Sequence, residues 1–267
     1  LQELHQQNRL VFVMTIWGSQ SVQFAWFVPS IEGLVASRLY EPLVGHEPDA
    51  TQRNKVISQA LPFLSSASGN VDGAEYQVLI APGRIDFTIT AAPAIDEPRD
   101  DVALLDTRAV IDGVLDRFKS VGPTWPDALR LAVVAHLFKP MANYQEANAD
   151  FFKITGLDFN LSDLRDTVLQ LNRRKRLNAS LEINRVVRYA VLGIQQFAMG
   201  NPVPEKDVLS PFYPINEQRF GTSLLLDFNT NPGGWIFQVA EQVTICNELA
   251  SELYRVANIG SPQALAD

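Results

Sequence analysis

At 267 residues with 46% apolar side chains, the chain can bury a sizeable core as one large domain or two ordinary ones. A formal net charge of −8 excludes a protein that coats nucleic acid with its whole surface, though not one with a local basic site. The single cysteine, Cys246, excludes an intramolecular disulfide and a cysteine-built zinc site, and three scattered histidines argue against a metal centre.

Residues 10–28 hold two apolar runs around Gly18-Ser19-Gln20-Ser21. The polar middle is costly in hydrocarbon, and the first run falls far short of the ~20 residues a membrane span needs. The small-residue cleavage pattern of an export signal is missing. The segment is expected to form two strands, buried or facing a partner, within an N-terminal extension covering residues 1–28. Exposed, Trp17, Trp26 and Phe27 would anchor a partner; buried, they are ordinary core.

From Ile31 to Leu39 apolar residues alternate, which predicts a strand ending before Pro42. Asp49 is a plausible cap for a helix with Val56, Ile57, Ala60, Leu61 and Leu64 along one face, its last turn shortened by Pro62. Residues 76–91 spell a β-hairpin: Tyr76, Val78 and Ile80 answer Ile85, Phe87 and Ile89 across Ala81-Pro82-Gly83-Arg84. Proline presets φ at the second turn position, and glycine supplies the positive φ that a type II turn needs at the third. Asp106 or Asp101 caps a helix whose stripe is Val110, Ile111, Val114, Leu115 and Phe118. Residues 129–138 return to period 2 with both faces largely apolar, which predicts a central strand. The order β-α-β-β-α-β over residues 29–139 is the ferredoxin-like arrangement, an antiparallel sheet with both helices on one face.

A second α+β unit is expected over residues 140–267. It starts with helical patterns at 143–154 and 161–167, then paired strands at 168–177 and 179–192. Pro202, Pro204, Pro211 and Pro214 forbid regular structure across 200–221, and a loop this long is usually functional or disordered. A last strand through Leu224, Leu226 and Phe228 precedes a helix stopped by Gly260. No repeat of short fixed period is visible. The fold class is therefore α+β, with antiparallel sheets covered by helices on one face.

Phosphate-cradling loops, dinucleotide fingerprints, nucleophile elbows and zinc helices are all missing from the sequence. Asp227-Phe228-Asn229-Thr230-Asn231 resembles a calcium loop but places Pro232 where the sharp turn demands glycine. Arg173, Arg174, Lys175 and Arg176 form the densest charge run. They could grip phosphates, or simply protect a solvated strand edge from aggregation. His136 could serve as a base, yet no nucleophile can be placed beside it. Cys246 belongs to an apolar helix face. The carboxylates Asp96, Glu97, Asp100 and Asp101 suit a loop before a helix start. No catalytic residue, metal ligand or cofactor site is assigned.

The stretch Pro29-Ser30-Ile31-Glu32-Gly33-Leu34-Val35-Ala36-Ser37-Arg38 resembles the P-x-[IV]-E-x-x-V-x-x-R opening of a sporadically distributed prokaryotic protein family. Ile85-Asp86-Phe87, Leu129-Arg130-Leu131, Leu225-Leu226-Asp227-Phe228 and the closing helix follow in that family's order, so the resemblance covers residues 29–259. The family has no assigned activity, so the resemblance implies no chemistry. Its patchy distribution implies accessory gene modules, phage defence among them.

The expectation that follows is a cytoplasmic, non-enzymatic interaction protein acting as a subunit or sensor of a larger bacterial assembly. Trp17, Trp26, Phe27, Phe212 and Tyr213 are its candidate partner contacts, with a protein partner or self-association and no membrane. The alternatives are a nucleic-acid-binding regulator using Arg173 to Arg176 and an enzyme with a site around His136.

Overall fold

The computed structural model describes residues 17–59, 61–92, 102–122, 125–159, 164–178, 181–195, 197–199, 212–214 and 218–266. The carboxylates Asp96, Glu97, Asp100 and Asp101 and the prolines Pro202, Pro204 and Pro211 lie outside these residues.

The first half runs β1 (Gly18–Phe27), α1 (Ala36–Val44), β2 (Ala50–Arg53), β3 (Ser65–Val71), β4 (Ala74–Ala81), β5 (Arg84–Ala91) and α2 (Thr107–Phe118). The second runs β6 (Arg130–Met141), α3 (Tyr144–Thr155), β7 (Val168–Arg176), β8 (Glu182–Ile194), β9 (Phe197–Met199), β10 (Phe212–Pro214), β11 (Arg219–Thr230), α4 (Val239–Ile259) and a 3-10 turn, Pro262–Leu265. Nine strands form one antiparallel sheet in the order β2-β3-β4-β5-β1-β6-β11-β8-β7, and β9 pairs β10 separately.

Leaving β2 and the β9–β10 ribbon aside, each half has the order β-α-β-β-β-α. Its strands stack as β3-β4-β5-β1 on one side and β6-β11-β8-β7 on the other. The two halves thus share one strand order and meet at the antiparallel β1–β6 pair. Helices α2 and α4 lie over the two central strands, while α1 covers β3 and β4 and α3 covers β8 and β11.

Period-2 patterning explains which face the helices cover. Val22, Phe24 and Trp26 of β1 stand opposite Ile89, Phe87 and Ile85 of β5 and opposite Ala135, Val133 and Leu131 of β6. All nine are essentially fully buried in the main core. Trp26 meets Phe118 of α2 and Trp125 edge-on, at 5.3 and 5.1 Å between ring centres. Such aromatic pairs add about 0.5–1.5 kcal/mol beyond the area they bury.

Several expectations hold locally. The hairpin pairs Ile80 with Ile85 and Val78 with Phe87, with Gly83 at φ 68° in the turn. Asp106 caps α2 by accepting from the Arg108 and Ala109 amides. Gly260, at φ 69°, ends α4. The coarse class is α+β, with an antiparallel sheet and its helices on one face.

Several expectations need correction. Residues 200–221 are not irregular throughout, because Phe212–Pro214 forms β10 and β11 begins at Arg219. Residues 18–27 are not part of an extension: β1 is a central strand, hydrogen-bonded on both sides. The expected strand at 31–39 is replaced by helix α1, because Ala36, Leu39, Tyr40, Leu43 and Val44 recur at helical spacing and are all buried. No local side chain caps α1; its Ala36 amide donates to Ser65 Oγ of β3, 29 residues away, so the helix start carries no local signal. The expected helix after Asp49 is instead edge strand β2 and irregular chain, with Val56, Ile57 and Leu61 exposed. Residues 164–167 are not helical, and 160–163 lie outside the described residues. The observed order is therefore not β-α-β-β-α-β, and a boundary at 139 falls inside β6, whose pairing with β1 and β11 makes the sheet continuous.

Candidate interaction surface

The face of the sheet opposite the helices is built from the residues between the core positions. At its centre Ala25, Ala132 and Val134 form a second apolar cluster with Phe27 and Leu225, separate from the main core. Around it lie Gln23, Asp86, Arg84, Arg130, Asn229, Asp227, Asn184, His136 and Arg188, brought to one face by strand alternation and the antiparallel register.

Phe27 organises one end of this face. Antiparallel pairing sets Arg84 of β5 and Arg130 of β6 on either side of it, with the guanidinium carbons 5.0 and 4.9 Å from the ring centre. Cation–π contacts of this kind stabilise by about 0.5–1 kcal/mol where exposed. Asp86 Oδ1 accepts from Arg84 Nε at 2.7 Å and from Gln23 Nε2 at 2.8 Å. Burial pushes the Asp86 carboxyl up, against the lowering effect of Arg84 and Gln23. On the other side Asn229 Oδ1 accepts from Arg130 Nη2 and Asn184 Nδ2, and Asn229 Nδ2 donates to Asp227. Arg130 has no carboxylate partner among the described residues, and its Nε is buried without a hydrogen bond.

The rim at the same end is apolar. Ala128 and Phe237 exchange both backbone hydrogen bonds in an antiparallel bridge, which sets Leu129 beside Ile236 in register. Leu129 also donates its amide to the Phe27 carbonyl. The turn through Pro232, Gly233 and Gly234 then presents Trp235, whose indole lies so close to Gly233 that a methyl there would sit 2.6 Å from Nε1. Leu129, Trp235 and Ile236 are 37%, 46% and 61% exposed. Exposed large apolar side chains, a tryptophan among them, are what interface anchors are made of.

The residues singled out from sequence scatter. Trp26 is core, and Trp17 packs against the core edge near Gly260. Phe27 is the member of the set that lies on the helix-free face. Phe212 and Tyr213 belong to β10, paired with Met199 and Ala198. Leu129, Trp235 and Ile236 were missed. The last two follow a Pro-Gly-Gly turn that marks a loop, but sequence alone does not say which way a loop residue faces.

Strand alternation splits the basic run of β7. Lys175 donates to Glu252 of α4 at 2.9 Å, and Arg173 donates to the Leu265 carbonyl. The outward pair differs: Arg174 makes a 3.5 Å contact with Glu182, and Arg176 is exposed. Glu252 also accepts from Arg255 and from Arg185, which is fully buried and approaches at 2.7 Å. Burial alone would raise the Glu252 carboxyl; hydrogen bonds from Arg255, Lys175 and Arg185 outweigh it and bring the carboxyl down to about 2.

His136 is exposed on the helix-free face. Desolvation by the sheet lowers its imidazole, with the Asp227 carboxylate pulling the other way. It lines neither the cleft beside α1 nor the groove along α4. Burial pushes the Cys246 thiol up to about 12, which suppresses the reactive thiolate. Among the described residues no three His, Cys, Asp or Glu side chains converge to hold a metal ion, and no helix is long and apolar enough to cross a membrane.

No family model, curated protein or solved structure matches the chain.

Proposed function

We propose that the chain is a binding protein, a subunit or sensor of a larger assembly, that docks a protein partner at the Phe27 end of its sheet. The observation that carries this reading is Phe27 with its two flanking arginines on the helix-free face, with the exposed Leu129, Trp235 and Ile236 at the same end of the strands. The apolar rim supplies area to bury, and Arg130, lacking a carboxylate among the described residues, favours a partner that brings one. A role in phage defence fits the patchy family the chain resembles and belongs to the same proposal.

A photo-crosslinking residue placed at Trp235, with a control at the exposed Asp116 of α2, tests this in host cells. Adducts of one defined mass from position 235 alone, reduced by Arg130→Glu, support the reading. Equal labelling at both positions, or no adduct at 235, overturns it. Light scattering of the purified chain shows whether the partner is a second copy.

A further inference from the structure

Independent of the sheet face, α1 and the β3–β4 turn enclose a cleft of about 470 Å³ lined by Tyr40, His46, Glu47, Asp49, Asn70 and Asp72. Three of these are carboxylates, and no lysine or arginine lines the cleft. Asp49 is held in place, since its Oδ2 accepts from the Asn70 amide at 2.9 Å.

The second observation is Tyr40. Its residue is fully buried at the inner wall, yet its hydroxyl has no hydrogen-bond partner. An unpartnered buried hydroxyl is costly, by about 1–3 kcal/mol, which is a reason to look for what it serves. Tyr40 Oη and Asp49 Oδ2 converge on Gly69, where a methyl group would sit 2.7 Å from the first and 3.1 Å from the second. Glycine at this position is what lets both oxygens reach the same wall. Burial, then the Asp49 charge, raises the Tyr40 hydroxyl pKa, so the group stays protonated and neutral.

These donors do not suit a metal ion, because no three acidic or imidazole side chains among the described residues come close enough to share one. Carboxylates spread around a space of this volume suit a cation whose charge is itself spread along a chain. We infer that the cleft between α1 and β3 binds an alkylammonium ligand, with Asp49, Glu47 and Asp72 facing its positive groups and the Tyr40 hydroxyl accepting from one N–H.

Titration calorimetry with spermidine on the full chain tests this, with Nα-acetyl-lysine amide as a second arm. Saturable one-to-one binding of spermidine is expected, weakened at least about tenfold by Asp49→Asn and about threefold by Tyr40→Phe, since each 1.4 kcal/mol is a factor of ten. Asp116→Asn, on the outer side of α2, should leave it unchanged. Spermidine binding without lysine-amide binding assigns the site to a free polyamine; binding of both assigns it to ammonium groups in general, a partner's lysine included. If Asp49→Asn fails to fold, the exposed Glu47→Gln takes its place, with about threefold weakening expected. No saturable binding overturns the inference, as does binding that Asp49, Glu47 and Asp116 variants weaken equally, which is diffuse attraction to an acidic protein.

Discussion

The two halves of the sheet share one topology and stabilise it by different chemistry. In the first, the helix-facing positions of β1 from Val22 to Trp26 and of β5 from Ile85 to Ile89 are apolar, closed by Trp26, Phe118 and Trp125. In the second, the matching layer under α4 contains an ionic hub, with Arg185, Lys175 and Arg255 around Glu252, while Leu265 and Ala264 carbonyls take further arginine N–H groups. The alternation of inward and outward positions decides the topology. What fills the inward positions is free to differ, provided every buried charge is paired.

The largest effect should come from breaking the hub. Glu252→Ala leaves Arg185 buried without its carboxylate and should cost about 3–5 kcal/mol in urea unfolding. Trp26→Ala removes the aromatic centre of the other half and should cost a similar amount, about 3–5 kcal/mol. Acid separates the two. Glu252 titrates near 4.5 when unfolded and at about 2 when folded, so between those values the unfolded chain binds the extra proton. Stability from the hub is therefore present above pH 4.5 and lost as pH falls towards 2. The cost of Glu252→Ala should shrink across that window while the cost of Trp26→Ala stays constant. Equal pH dependence of the two variants would refute the contrast.

Capping tests the halves on a smaller scale. Asp106→Ala removes a local cap from α2, and Ser65→Ala removes the remote one from α1; each should cost about 1 kcal/mol in thermal unfolding. The β7 cations should show the smallest changes, and in alternation. Lys175→Ala should destabilise measurably, whereas Arg174→Ala and Arg176→Ala should stay within about 0.5 kcal/mol of the parent.

Much of the local structure was legible because its signals lie within a few residues of one another. The 76–91 hairpin needed only alternation and Pro82-Gly83, and α2 needed only Asp106 and its stripe. The candidate surface was barely legible. Phe27 could be named but not oriented, and Trp235 was hidden because its exposure depends on the Ala128–Phe237 bridge, a pairing across more than 100 residues.

By itself the sequence determined the antiparallel α+β class, the strongest turns and caps, and the absence of familiar catalytic motifs. Tertiary structure alone decided that β1 is a central strand, where the helix at 36–44 is capped, and that two of four β7 cations turn inward. The reason is reach. Periodicity and turn chemistry act over one or two turns of chain, while a cap supplied by Ser65 or a carboxylate supplied by Glu252, 67 residues from Arg185, exists only once the sheet has formed.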